Sequence, residues 1–524
     1  MPPYPAGIKL FSIGIGLVLA VICSNLDRSI LSVAIPKITS EFNSLDDMAW
    51  YGSAYLLTSC CSQLMFGKLY AAYKIQWIFL GALGVFELGS ILCAAAPNSN
   101  CLIIGRAIAG LGATGISTGA LLIISHSMPV HQRPKYTAMI GACVGITIVI
   151  APFLGGIFTD KLSWRWCFWI NLPLGGLTFI TIFFLVQLPN PPKKQTTGWR
   201  GLLDIIDIQG TALLLPSTVC LLLALQWGGT DYAWNSWRCI LLFCVFGFCG
   251  LIWCYVQVRE GDKATVPMRL LRMRSILAAM VFGFALFGVM FLQSYYMSIW
   301  FQAVKGVSAY RAGVYSLAST GAMTVAFPVT GILTSKTGYY VPGMIAGSIL
   351  NIIASGLMTR YGVHTSTGYW IAGSILSGLG FGFGGQQCMM VPQTILEGED
   401  IALGTAVIMF AETISGTIFL AVGESIFENK LVSELRDHAP TVDPSIVIAN
   451  GASGLRAAMG EIYGVQVVEE ILVSYADALQ PIWIITVALG ALSLVGAVCT
   501  EWVSVKKGKD SRVAVEMDAI KSEA

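Results

Sequence analysis

Charged side chains inside long apolar stretches are the residues of this sequence most suited to chemistry. Asp27 and Arg28 stand near the end of one such stretch, and Arg106 stands in another. A charge at the middle of a bilayer costs about 2.5–3.5 kcal/mol even on the most forgiving insertion scale. We expect Asp27 and Arg106 to lie at similar depth and to pair. Arg28 points about 100° away from Asp27 around a helix and is a poorer partner on that face.

Two acids stand near the middle of other apolar stretches. Glu412 is close to Thr413 and Ser415, and we interpret it as a second proton site facing a cavity. Glu87 is interpreted as a packing acid bonded to a neighbouring helix, with a second proton site as the alternative. A buried carboxyl group holds its proton more strongly, and a nearby Arg weakens that hold. Movement of Arg106 would therefore make Asp27 release or take up a proton; the alternative is a static ion pair that fixes helix register.

The composition of the chain indicates a membrane protein. Of its 524 residues, 55% are hydrophobic and 11% are charged, whereas a soluble domain carries roughly 25% charged residues. The net charge of +2 gives no basic excess for nucleic acid. The sequence has no phosphate-binding loop, no HExxH and no paired CxxC motif. We expect no enzyme activity, no metal site and no cofactor. A proton gradient is the expected source of energy.

Fourteen apolar runs have the length of a transmembrane helix, about 20 residues. Lys and Arg are more frequent in the segments that lie inside when the N-terminus is cytoplasmic, which predicts that both termini are cytoplasmic. The runs lie near residues 8–33, 48–70, 76–96, 101–124, 136–158, 166–186, 205–227, 237–257, 275–300, 311–333, 341–358, 368–391, 403–427 and 480–503.

An internal repeat divides these runs into two halves. "GRAIAGLGATG" at 105–115 and "GSILSGLGFGFG" at 373–384 share their glycine spacing, and "GKL" at 67–69 matches "GIL" at 331–333 at nearly the same offset. Two related halves around a central site are a transporter architecture. The predicted organisation is an N-terminal six-helix half (1–186), a cytoplasmic linker (187–204), two inserted helices (205–257), a basic cytoplasmic loop (258–274), a C-terminal six-helix half (275–503) with an extracellular loop (428–479), and a cytoplasmic tail (504–524).

Four stretches resemble motifs of the major facilitator superfamily, and specifically of the fourteen-span drug:proton antiporters of fungi. They are "LDRSILSVAIP" (26–36), "GRAIAGLGATG" (105–115), "APFLGGIFTDKLSWRWCFWINLPLGG" (151–176) and "GFGFGGQQCMMVPQT" (380–394). The resemblance covers about residues 20–430 and implies an all-α major facilitator fold. It places the antiporter motif at Ala151, Pro152, Gly155 and Gly156, with Ala151 where the family has Gly.

The gating loops depart from the pattern of that family. The loop after the second span usually carries an acid that helps to lock the cytoplasmic gate. Here it reads "GKLYAAYKIQ", which starts at Gly67 and has Ala71 in the acidic position and Lys74 in place of a Gly. The second copy also lacks the acid, with Ser335 in its place. It keeps Gly331, Lys336 and Gly338.

The candidate substrate-binding residues come from two stretches. Gln386 and Gln387 are candidate hydrogen-bonding groups in the cavity. Tyr295, Tyr296 and Trp300 form either a substrate platform or an aromatic belt at the membrane interface. Aromatic and amide side chains together would suit bulky, mostly apolar organic molecules.

The family resemblance implies proton-coupled efflux of hydrophobic small molecules, namely toxic secondary metabolites or antifungal drugs. The alternatives are transport of amino acids or iron-siderophore chelates by the same fold and, more remotely, a membrane-embedded enzyme or receptor. We expect a monomer that contacts lipid and its small-molecule substrate but no nucleic acid. The expected location is the plasma membrane, with the vacuolar membrane as the alternative.

Overall fold

The computed structural model describes residues 8–42, 44, 47–186, 208–229, 232–261, 264–444, 446–447 and 455–506. Within these ranges nearly all of the backbone is helical, and the β-structure is one isolated bridge between Gly228 and Tyr232. The predicted linker 187–204 and most of the predicted tail 504–524 lie outside the described residues.

The helices follow one another with mostly short connections. They are α1 (Ile8–Phe42), α2 (Met48–Ala72), α3 (Ile75–Ala94), α4 (Ser99–Ser127), α5 (Arg133–Lys161), α6 (Trp166–Trp169), α7 (Asn171–Leu185), α8 (Ile208–Trp227), α9 (Trp237–Glu260), α10 (Met268–Leu271), α11 (Arg274–Ile299), α12 (Ala309–Thr337), α13 (Val341–Met358), α14 (Thr367–Gly384), α15 (Met390–Ile395), α16 (Asp400–His438), α17 (Leu455–Tyr463) and α18 (Val465–Cys499); a π-helical turn, Trp300–Val304, follows α11.

Each of the fourteen predicted spans coincides with a long helical segment, and α6 together with α7 forms the sixth. Eleven of the described segments are long and apolar enough to cross a membrane. The helices α2, α8 and α14 occupy the other three predicted positions. The prediction of an all-α protein with two six-helix halves and two further helices is confirmed.

The predicted loop at 428–479 is largely helical instead. Helix α16 continues to His438, and α18 begins at Val465. Leu431 and Leu435, one turn apart, are buried in a cluster that also contains Leu472 of α18. The Asp, Glu, Pro and Gly residues of this segment favour a loop in the sequence. Their apolar neighbours recur at helical spacing and pack between α16 and α18, so both helices extend beyond the predicted spans.

The repeated glycines have the same structural role in both halves. A Cβ atom on Gly110 of α4 would overlap the backbone carbonyl of Tyr55 in α2, and one on Gly378 of α14 would overlap the carbonyl of Ser319 in α12. Helix packing in a membrane depends on such close backbone contacts, because lipid supplies no hydrophobic drive between helices. The glycine spacing therefore fixes the contact between the second and fourth helices of each half.

We predict that Gly110→Ala and Gly378→Ala each lower stability by about 1–3 kcal/mol, since the added methyl group would push two backbones apart. Thermal unfolding of the purified protein in detergent would measure the loss. Gly84→Ala is the matched control, because a Cβ on Gly84 would meet no atom within 4 Å. Equal melting temperatures for all three variants would contradict the role of Gly110 and Gly378 in helix packing.

Candidate functional site

Asp27 of α1 and Arg106 of α4 form a buried ion pair. The Arg106 guanidinium donates to the Asp27 carboxylate over 2.5 Å, and the two side chains are 0% and 1% exposed. Asn171 of α7 donates to the second carboxylate oxygen over 3.0 Å. The Nε of Arg106 donates to the backbone oxygen of Tyr51 over 3.0 Å. Both charges are thus neutralised inside the first half of the protein.

Aromatic and polar neighbours complete this buried network. The Arg106 guanidinium lies 4.5 Å from the centre of the Tyr55 ring, a favourable cation–π distance. The Asn171 amide also donates to Ser90 of α3 over 3.0 Å. The ion pair therefore connects α1, α2, α3, α4 and α7. Asn171 is not among the predicted site residues, although it lies in the sequence between an aromatic run and Pro173.

A cavity of about 460 Å³ lies between the two halves. Its volume is within the range of small-molecule sites, about 300–1,000 Å³. Its charged and amide lining residues are Asn25, Arg28, Gln63, Gln386, Glu412 and Glu424, and apolar residues such as Leu56, Leu121, Phe287, Phe291 and Leu420 form much of the remaining wall. The cavity extends from the middle of α16 toward the face of the protein opposite to the start of α1.

Glu412 lies in the cavity wall. Its side chain is 6% exposed, and its carboxylate accepts a hydrogen bond from the Cys388 thiol over 3.1 Å. It packs against α11 at Gly283, where a Cβ would lie 3.2 Å from the Glu412 side chain. Its role in proton coupling stays a prediction. Glu87, expected to bond a neighbouring helix, packs on Gly175 without a hydrogen-bond partner among the described residues.

Several predicted cavity residues lie elsewhere. Gln387 is buried, and its side-chain oxygen accepts a hydrogen bond from Thr334 over 3.0 Å, so it is turned into the packing between α12 and the α14–α15 connection. Tyr296 and Trp300 are buried in a separate hydrophobic cluster, because the π-helical turn packs the Trp300 ring 5.0 Å from that of Tyr361. Tyr295 is exposed outside the cavity. The predicted aromatic platform is therefore wrong, and Gln386 alone of these five residues lines the cavity.

The antiporter motif lies in the C-terminal half of α5. Ala151 is buried in a cluster with residues of α1, and Gly155 is also buried. Pro152 stands inside the helix and removes one backbone hydrogen-bond donor there. A Cβ on Gly156 would meet no atom within 4 Å. The motif thus packs α5 along α1 of the same half, and its link to antiport stays a prediction.

Small residues close the contact between the halves on the face where α1 begins, which we call the N-terminal face. A Cβ on Gly67 of α2 would overlap Ala406 of α16, and one on Gly331 of α12 would overlap Ala138 of α5. The Arg133 guanidinium also donates to the Gln393 backbone oxygen over 2.6 Å across the halves. The cavity is therefore closed at this face.

The other residues of the gating loops lie at the helix ends. Lys74 and Lys336 are exposed. Gly338 ends α12 with φ of 89°, a left-handed conformation that favours glycine. Ala71, at the position of the family's acid, is 8% exposed and packs in the main hydrophobic core.

Three side chains near the opposite face have metal-ligand types. Atoms of Glu434, His438 and Asp477 lie within 4.8 Å of one another. The Glu434 carboxylate is already engaged by Lys430 over 2.6 Å and lies 3.3 Å from His438. We interpret this cluster as a charge network at the helix ends and assign no metal to it.

Comparison with known proteins identifies the fold and the family. The family model described as Major Facilitator Superfamily matches residues 17–420. The chain belongs to this superfamily. It is 44% identical over 503 residues to the MFS-type efflux pump MFS1 of Arthroderma benhamiae, covering 96% of this chain and 93% of that relative. It is 43% identical over 505 residues to the efflux pump aflT of Aspergillus parasiticus, covering 96% and 98%.

Solved structures agree on the fold of this superfamily member. The proton:xylose symporter XylE superposes with a TM-score of 0.59, covering 93% of this chain and 94% of XylE at 13% sequence identity. At that identity the likeness shows the fold alone. The chain is therefore an integral membrane transporter with the major facilitator fold, as its motifs predicted.

We predict that Asp27→Asn or Arg106→Gln alone destabilises the protein by about 3–5 kcal/mol, because each leaves a buried group without its partner. The double variant should recover part of the loss, since neither charge remains. Thermal unfolding in detergent would measure the coupling. Arg165→Gln is the control, because its ion pair with Glu41 is partly exposed and should contribute about 0–1 kcal/mol. Additive losses in the double variant would show that the two side chains are not coupled.

We also predict that Gly67→Val or Gly331→Val loosens the closed face, because the added side chain would collide with Ala406 or Ala138. Hydrogen–deuterium exchange should rise at residues 400–408 for the first variant and at 133–141 for the second. Gly84→Val should leave both regions unchanged. Unaltered exchange in the two test variants would show that these contacts do not hold the face closed.

Proposed function

We propose that this transporter exports hydrophobic small molecules across the plasma membrane in exchange for protons, by alternating access. The observation that carries the proposal is a largely apolar cavity between two related halves, closed by small residues at one face, with Glu412 in its wall. Two relatives above 40% identity, those of Arthroderma benhamiae and Aspergillus parasiticus, are named efflux pumps, which supports export rather than uptake.

The direction of opening follows from the positions of the helices. Gly67 and Gly331 lie near the ends of α2 and α12, on the N-terminal face, where the halves touch. The Lys and Arg bias of the sequence supports a cytoplasmic N-terminal face. The structure then corresponds to an outward-facing state, ready to release substrate and to take up a proton from outside. Separation of the Gly67 and Gly331 contacts would open the cavity inward.

Glu412 is our proposed proton carrier. It shares the cavity wall with the substrate-facing residues, whereas Asp27 is 0% exposed and fully engaged by Arg106 and Asn171. A protonated Glu412 adds no charge to the apolar cavity, and exchange requires that the proton and the substrate leave the cavity in alternate steps on opposite sides of the membrane. In this proposal Asp27 and Arg106 position α1 and α4 and do not carry the proton.

The test is flux in liposomes with an imposed pH gradient and a panel of hydrophobic toxins and azole drugs. Substrate flux and internal pH would be recorded together for wild type, Glu412→Gln and Asp27→Asn. We expect Glu412→Gln to lose proton-coupled flux while it keeps downhill exchange of substrate. The matched control is Glu428→Gln, an acid of the same helix that does not line the cavity.

Each other outcome has a definite meaning. Proton-coupled flux that survives in Glu412→Gln but not in a folded Asp27→Asn protein would move the proton to the Asp27–Arg106 pair. Flux that never depends on the pH gradient would exclude antiport. Localisation of the tagged protein to the vacuole would overturn the plasma-membrane assignment and leave the transport mechanism in place.

A further inference from the structure

Arg28 is the one charged residue of the first half that faces the cavity. It follows Asp27 in the sequence, but the helix turns its side chain about 100° away from the buried ion pair. Asp27 is fully buried among α1, α4 and α7, whereas Arg28 is exposed and lines the cavity. Among the described lining residues, Arg28 alone carries a positive charge.

No carboxylate of the described residues forms an ion pair with Arg28. The Arg28 guanidinium instead contacts an aromatic ring. The Phe291 ring of α11 lies 5.7 Å from the guanidinium carbon. A charged residue in a spanning segment is expected to have a pairing or transport role. Arg106 on α4 meets this expectation with Asp27, and Arg28 has no such partner among the described residues.

The two acids of the cavity do not occupy this position. The Glu412 carboxylate turns toward Cys388 and Gly283 and is almost fully buried. Glu424 lies twelve positions further along α16, which corresponds to about 18 Å along a helix. The Phe291 ring packs against Gly416, which lies between Glu412 and Glu424 on α16. Because Arg28 contacts this ring, its guanidinium lies beside the middle of the cavity. The guanidinium donors are therefore available to a ligand.

We propose that Arg28 binds the acidic group of the substrate, and that the transported molecules are amphipathic organic anions. A carboxylate or an ionised acidic hydroxyl would accept two parallel hydrogen bonds from the guanidinium. The apolar body would lie against Phe287, Phe291 and Leu420 of the cavity wall. This inference rests on the proposed function, since it names the substrate class of the same cavity.

Binding of a matched pair of probes tests the proposal. The probes are 1-pyrenebutyrate and its neutral amide, which share an apolar body and differ in charge. Each would be titrated at pH 7.5 into the full-length protein in lipid nanodiscs, with energy transfer from tryptophan to pyrene as the signal and empty nanodiscs as the blank. The proteins are wild type, Arg28→Met, Arg28→Lys and the control Arg311→Met, an exposed Arg outside the cavity.

We expect wild type and Arg311→Met to bind the carboxylate roughly tenfold or more tightly than the amide, as one charge-assisted hydrogen bond allows. Arg28→Met should abolish this preference and leave binding of the amide unchanged, which also shows that the variant is folded. Arg28→Lys should keep part of the preference, because the charge remains without the paired donors. Equal binding of both probes by wild type, or a preference that survives in Arg28→Met, would overturn the proposal.

Failure of this inference is distinguishable from failure of the proposed function. Proton-coupled export of neutral compounds without any preference for acids would remove the anion site and leave export in place. An Arg28-dependent preference for the carboxylate, with no proton-coupled flux in liposomes, would leave the anion site in place and remove the export mechanism.

Discussion

The high free energy of an unpaired charge inside a membrane is the constraint on which the first half of this protein depends. Asp27 and Arg106 meet it by pairing with each other, and Asn171 and the Tyr51 carbonyl occupy further hydrogen-bonding atoms of the pair. The network joins five helices at one point. Removal of one charge would leave the other unpaired in an interior of low dielectric constant. The pair therefore fixes how α1 and α4 pack.

The second half solves the same packing problem without charge. Gln293 of α11 donates to Ser355 of α13 over 2.9 Å and accepts a hydrogen bond from Ser377 of α14 over 2.5 Å. Gln293 and Ser355 stand at nearly the same place in the internal repeat as Asp27 and Ser90. A neutral amide thus replaces the carboxylate as the group that links the first, third and fourth helices of a half. The two halves share an architecture and differ in electrostatics.

Ionisable side chains from both halves line the cavity. Arg28 comes from the first half, and Glu412 comes from the second. Since alternating access moves the halves against each other, the separation of these two groups changes during transport. Among the described residues, the contacts at Gly67 and Gly331 are made by close packing, and Arg133 adds a hydrogen bond to the Gln393 backbone oxygen.

The sequence by itself determined the spans, the two halves and the pairing of Asp27 with Arg106. The spans follow from the lengths of the apolar runs, the halves from the repeated glycine spacing, and the pairing from the free-energy cost of an unpaired charge in a membrane. It also predicted Glu412 and Gln386 for the cavity. It did not show that Arg28 faces the cavity, and it wrongly predicted cavity positions for Gln387, Tyr295, Tyr296 and Trp300. Whether a side chain faces the cavity, another helix or lipid depends on helix rotation and on turns such as the π-helical one after α11. Those are set by contacts between helices distant in the chain, and only the tertiary structure decided them.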